Sequence, residues 1–169
     1  MSTPERLGRL DILIQPGHAM RITLAGRIDD ASPLGPLGAR IPAGDVTIDT
    51  SGVRFVNSIG MREWVRLLRV LRDRGTVTLE RVADVLMTQM TQMNMIADLG
   101  SNVRITSFHA QYVCPACGAE GTPLVDVNVH GEALARLQAP KLPCPECRAQ
   151  MELADVPERY LTVFRRPVR

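Results

Sequence analysis

The stretch 46-VTIDTSGVRFVNSIGMREWVRLL-68 decides the architecture. Val46, Ile48, Val53 and Phe55 alternate as extended chain does, with Ser51-Gly52 as a break between a strand and a short extended return. Ser58 stands where an N-cap belongs, and the spacing predicts a helix from about residue 59 to Arg74, closed by Gly75 at the C′ position. Met61, Trp64, Val65, Leu68 and Leu71 recur at the interval of one buried helical stripe. A strand, a polar turn and a helix start can form a phosphate cradle, a nucleophile turn or a phosphorylatable switch. One glycine without a following Gly-Lys-Ser/Thr does not make a phosphate-binding loop. No Gly-x-Ser-x-Gly is present to make a nucleophile elbow.

Outward from this segment the pattern repeats. DILIQ and RITLAGRID read as strands ahead of it, and the Pro/Gly-rich DDASPLGPLGARIPAGD as a loop with a helical turn. TVTLERV is the next strand, ADVLMTQMTQMNMIADLG a second helix ending at Gly100, and NVRITSF a last strand. Alternating strands and helices predict an α/β fold, a small mixed sheet with helices on one side. The 169 residues, 45% apolar and 22% charged, suffice for one such domain and a satellite. The character of the chain changes near His109, so residues 1–110 and 111–169 are the expected units.

ITLAGRID and VTIDTSGVRFVNSIGMREWVRLL together resemble STAS domains, the anti-sigma-factor antagonist family, over roughly residues 8–108. The resemblance implies a compact non-catalytic domain that binds partner proteins, often kinase-like anti-sigma factors, and is often switched by phosphorylation in the turn. It places the partner face on the helix after residue 58 and the turn before it: Asn57, Ser58, Arg62, Arg66 and Arg69. The family's Asp-Ser-Ser-Gly reads here Asn57, Ser58, Ile59, Gly60. The acceptor position is therefore Ile59, which has no hydroxyl, and the usual phosphoserine switch is absent. Ser58, read as a cap, already has its oxygen engaged by backbone N–H groups.

Cys114-Pro-Ala-Cys117 and Cys144-Pro-Glu-Cys147, with 26 residues between, are metal knuckles: two thiolates two positions apart on a tight turn share one face of an ion. Four sulfurs close a tetrahedral, structural Zn²⁺ site with no position left for catalysis. Gly118 permits the positive-φ conformation such turns use, and Arg148 stands in its place in the second knuckle. The pattern looks like a zinc ribbon, against two disulfides or rubredoxin-type iron as competing readings. TPLVDVNVH is expected as a ribbon strand, GEALARLQ as a short helix and MELADVPERYLTVFR as closing strands.

Residues 112–169 carry seven basic and seven acidic side chains, and four thiolates with one Zn²⁺ add two negative charges. Such a module competes poorly for phosphate, and only the tail FRRPVR is basic. A nucleic-acid-associated zinc-ribbon protein, with the STAS-like part as a dimer module, is the alternative to a protein-binding regulator, and a homodimer stays open under either. Arg62, Arg66 and Arg69 form a basic stripe that fits an acidic partner or a solvated helix face. Met87, Met90, Met93 and Met95 read as core or adaptable interface in preference to a Cu(I) site. His18, His109 and His130 show no catalytic spacing, and Asp29, Asp30 and Asp49 read as strand-end and turn residues. No apolar run spans a bilayer, and no signal peptide is read at the start, so a cytoplasmic protein is expected; with the metal site closed and no acid/base set in view, a non-enzymatic one.

Overall fold

The computed structural model describes residues 2–93 and 97–165. Met95, and the expected basic tail beyond Arg165, lie outside them. A six-stranded mixed sheet organises the first two thirds of the chain. Three strands, β1 (Thr3–Leu7), β2 (Leu10–Gln15) and β3 (Met20–Ile28), form an antiparallel meander. Then β4 (Val46–Val56), β5 (Val77–Glu80) and β6 (Val103–Ile105) add in parallel, giving the spatial order β1-β2-β3-β4-β5-β6. The parallel steps pass through α1 (Leu34–Arg40), α2 (Ser58–Arg72) and α3 (Asp84–Gln92). Right-handed crossovers in an order that never reverses put all three helices on one face. That face buries the row Ile22, Ile48, Leu79 and Ile105, one residue from each parallel strand.

The structure departs from the sequence reading at several places, each for a local reason. The strand β1 was not expected, because TPERL lacks apolar alternation; it is an edge strand held by pairing to β2 alone. The expected break at Ser51-Gly52 does not occur, and β4 runs unbroken for 11 residues. Its pairing to β3 slips between Thr23 and Ala25 and again between Gly26 and Arg27, so β4 absorbs the irregularity as bulges. Gly52 sits there because a Cβ would lie 2.6 Å from that of Ala25.

Asn57, not Ser58, caps α2: the Gly60 N–H donates to its Oδ1 at 2.7 Å. Ser58 is the first helical residue and is exposed. At the other end α2 finishes at Arg72, and Asp73 is the C-cap in right-handed conformation, so Gly75 is not a left-handed cap. Gly75 is there for close approach, since its Cβ would stand 2.1 Å from the Gly44 carbonyl oxygen. The helix expected to reach Gly100 ends as α3 at Gln92, with a 3-10 turn over Ala97–Leu99. The segment read as one last strand is two. Val103–Ile105 joins the main sheet, while β7 (Ser107–His109) leaves it to pair with β10 (Leu124–Asp126).

The cysteines lie on the turns of a four-stranded sheet of order β11-β12-β8-β9, built from β8 (Tyr112–Val113), β9 (Glu120–Gly121), β11 (Leu142–Pro143) and β12 (Gln150–Leu153). Asp126 ends β10 by accepting from the Asn128 N–H, so VNVH belongs to α4 (Val127–Ala135) and not to a strand. Of the expected closing strands only β12 forms; Pro157 begins α5 (Pro157–Tyr160), and a 3-10 turn covers Thr162–Phe164. This part packs on the first. Phe164 stacks on Phe108 with ring centroids 5.2 Å apart, and Leu86, Met87 and Met90 of α3 share one core with Tyr112, Leu134, Met151 and Tyr160. Met87 and Met90 are thus core residues, while Met93 is exposed.

Candidate metal centre and the face of α2

Each cysteine pair sits on a turn built from the same hydrogen bonds. In the first, the Gly118 N–H donates to the Cys114 carbonyl and the Cys114 N–H to the Ala119 carbonyl, both at 2.8 Å. In the second, Arg148 donates to Cys144 at 2.9 Å and Cys144 to Ala149 at 2.7 Å. The residue after the second cysteine is left-handed in both, with φ of 77° at Gly118 and 64° at Arg148. The arginine therefore does not alter the turn; it adopts a conformation that costs a side-chain-bearing residue about 1–2 kcal/mol. Arg148→Gly removes that strain at the expense of a more flexible unfolded chain. The expected net gain is about 0.5–1 kcal/mol in denaturant unfolding at saturating metal, with metal stoichiometry unchanged.

The two turns bring four sulfurs together. Cys114 and Cys147 Sγ are 3.5 Å apart, Cys117 and Cys144 Sγ 3.7 Å, and all four lie within 4.8 Å of one another. A regular tetrahedron with metal–sulfur bonds of about 2.3 Å has edges of about 3.8 Å, so the cluster has the size of a four-thiolate ion site. Its electrostatics point the same way. The Cys117 N–H, aided by that of Ala116 and by Cys147 and opposed by burial, draws the Cys114 thiol down to about 7. The Ala119 N–H favours a Cys117 thiolate too, but Cys147 and the other sulfurs outweigh it and push that thiol up to about 12. Four thiolates in so small a volume repel unless a cation neutralises them. Cys114 and Cys144 are buried, and Cys117 and Cys147 face solvent, so the turn tips carry the outer half of the site.

On α2, Arg62, Arg66 and Arg69 are all exposed, as their spacing requires. Glu63 pairs with Arg66 and also accepts from the Gly35 N–H at 3.3 Å, tying α2 to α1. Ile59 is 47% exposed at the first turn, and Phe55, at the end of β4, carries the Arg27 guanidinium 3.7 Å above its ring. The Phe55–Arg27 contact escaped the sequence reading, which placed Phe55 in an extended segment without a partner.

Asp49 also escaped it. It is neither a strand end nor a turn residue but a fully buried carboxylate within β4. Burial by itself raises its pKa; the Ser51 N–H and hydroxyl, at 3.0 and 2.8 Å, and the Arg81 guanidinium reverse this and hold it below the usual carboxylate range. Arg21 lies 3.5 Å from the same oxygen and pairs with Glu80. Arg81 holds φ at 46° to make its contact. The network is fully paired, which suits a device that fixes strand register better than a catalytic group. Among the described residues no helix is long and apolar enough to cross a membrane. No family model matches the chain, and no curated protein matches it.

Proposed function

We propose that this chain is a non-catalytic regulatory protein of STAS type, whose C-terminal module is a zinc ribbon that stabilises it. The observation that carries the reading is the α2 face: three exposed arginines on a helix that starts at Ser58, after the turn whose sequence resembles that of STAS domains with Ile59 at the phosphoserine position. The partner it suits is an acidic regulatory protein, such as a kinase-like anti-sigma factor, engaged without a phosphate switch. Zn²⁺ is the ion of choice because the four-thiolate site leaves no open coordination position, and aromatic residues of the kind that enclose rubredoxin iron are sparse around it. The balanced charge of residues 112–169 speaks against nucleic acid as the main partner.

Capture from native lysate tests this. The parent should recover a discrete acidic protein, and Arg62→Glu/Arg66→Glu should lose at least about tenfold of it, with the loss growing at low salt. Equal capture by both, or recovery of nucleic acid alone, sinks the assignment.

A further inference from the structure

Of the four sulfurs, those of Cys117 and Cys147 belong to exposed residues at the turn tips, and those of Cys114 and Cys144 to buried ones. The contacts made from one turn to the other join one of each kind. Cys147 Sγ lies 3.5 Å from Cys114 Sγ, and Cys117 Sγ 3.7 Å from Cys144 Sγ. A disulfide is about 2.05 Å long, so each pair closes with under about 1 Å of movement per sulfur. The β12–β8 pairing, Glu152 to Val113 and Leu153 to Tyr112, already holds the hairpins side by side. Side chains can therefore close the gap while the strands stay in place.

Bridges between the turns and bridges within a turn have different consequences. Cys114–Cys147 and Cys117–Cys144 span 33 and 27 positions and tie one hairpin to the other, as a shared ion does. A Cys114–Cys117 bridge joins residues that the turn already holds through its Gly118-to-Cys114 and Cys114-to-Ala119 hydrogen bonds, and it leaves the hairpins apart. Oxidants attack thiolates that solvent can reach. Cys117 and Cys147 meet that condition, since a bound cation keeps all four sulfurs deprotonated.

We infer that Cys117 and Cys147 are a site of reversible oxidation by peroxide, resolved by Cys144 and Cys114 into two disulfides between the turns, which replace the ion as the staple of the module. The loss of Zn²⁺ in this step rests on the zinc-ribbon reading, and the pairing rests on the sulfur geometry. Cys147 Sγ attacks one oxygen of hydrogen peroxide, the O–O bond breaks, and hydroxide leaves and is protonated to water. The sulfenic acid left on Cys147 is attacked by Cys114 Sγ; the S–S bond forms, the S–O bond breaks, and a second hydroxide leaves as water. Cys117 and Cys144 follow the same course. Each bridge consumes one peroxide, two thiolates and two protons and yields two waters, the sulfurs being oxidised and the peroxide reduced. Sulfurs paired in this way no longer hold a cation.

Peroxide treatment of the Zn²⁺-loaded full chain, followed by blocking of residual thiols and digestion with trypsin, tests it. Cleavage after Arg104, Arg136, Lys141 and Arg148 puts Cys114 and Cys117 on one peptide and Cys144 and Cys147 on another. The oxidised chain should keep the mass of a monomer, and the two peptides should run as one species that dithiothreitol separates. Fragment spectra should assign Cys114–Cys147 and Cys117–Cys144. Zn²⁺ should be released in step with the loss of thiols. The amide NMR dispersion of the module should survive oxidation, although chelation of the reduced chain abolishes it. The inference is overturned by thiols that peroxide leaves intact, by sulfinic acids in place of disulfides, by bridges within the turns, by the pairing Cys114–Cys144 with Cys117–Cys147, or by a module that oxidation unfolds. A reduced chain that takes up no Zn²⁺ overturns the zinc reading alone, and the bridges that peroxide forms in it still decide this one.

Discussion

Stripping the metal with a strong chelator, or replacing Cys114 and Cys144 by serine, should unfold the C-terminal module while the main sheet survives. The module's strands are short, two to four residues each, and such segments cannot hold a fold by pairing alone. The two hairpins that carry the knuckles meet at the short β12–β8 pairing and at the four sulfurs, and a structural ion supplies roughly 10–16 kcal/mol to an arrangement of this kind. The chain contains its own reporters. Trp64, the only tryptophan, is fully buried on α2, while Tyr112 and Tyr160, the only tyrosines, are buried in the module. Tyr112 further donates to the Pro140 carbonyl at 2.9 Å, which orders the connection into the second hairpin.

On metal removal the near-ultraviolet tyrosine signal should collapse, and Trp64 emission should remain that of a buried indole. Re-addition of Zn²⁺ should restore the tyrosine signal, and acidification should release the ion, because thiolates must be deprotonated to bind it. A tyrosine signal indifferent to metal would mean that the sulfurs are not structural. Simultaneous loss of the Trp64 signal would mean that the shared core makes the two parts a single cooperative unit.

What the sequence made legible follows from where information is local. The CxxC spacing specifies a tight turn whatever surrounds it, so the four cysteines that the fold brings together were readable, including a second turn in which arginine takes the place of glycine at φ 64°. The alternation in β3 to β5 and the stripe in α2 are likewise written within a few residues. Features set by tertiary context were not readable. TPERL becomes a strand only because β2 offers an edge. Ser51-Gly52 carries the usual marks of a turn, yet pairing to β3 keeps it extended by taking up an extra residue. Asp49 in a polar run reads as a strand-end or turn residue; it is a buried residue within β4 whose partners, Arg21 on β3 and Arg81 just after β5, are distant in sequence. Ser58 and Asn57 are both good caps by type, and only the geometry of the strand exit chooses between them.

That strand exit makes Gly60→Ala the most damaging single-methyl change to expect in the main domain. A Cβ at residue 60 would stand 2.0 Å from the Ile28 carbonyl oxygen, 2.5 Å from its carbon and 3.0 Å from the Asp29 nitrogen. All three are backbone atoms at the end of β3, so no side-chain rotation relieves the clash. The same carbonyl accepts from the Asn57 N–H at 3.3 Å, fixing the start of α2 against β3. Alanine is the better helix former by about 1 kcal/mol, so intrinsic propensity predicts the opposite sign. Steric exclusion wins because α2 must lift off, and Met61 and Trp64, both fully buried, must lift with it. The expected cost is about 3 kcal/mol or more in denaturant unfolding and a Tm lower by about 10 °C. Two companion variants isolate the cause. Asn57→Ala should cost about 1 kcal/mol for the lost cap, and Ser58→Ala, exposed and not capping, should be within about 0.5 kcal/mol of the parent. If Gly60→Ala matched Ser58→Ala, the close seating of α2 on the end of β3 would be wrong, and the placement of Ile59 and Arg62 on the exposed side of α2 would have to be redrawn.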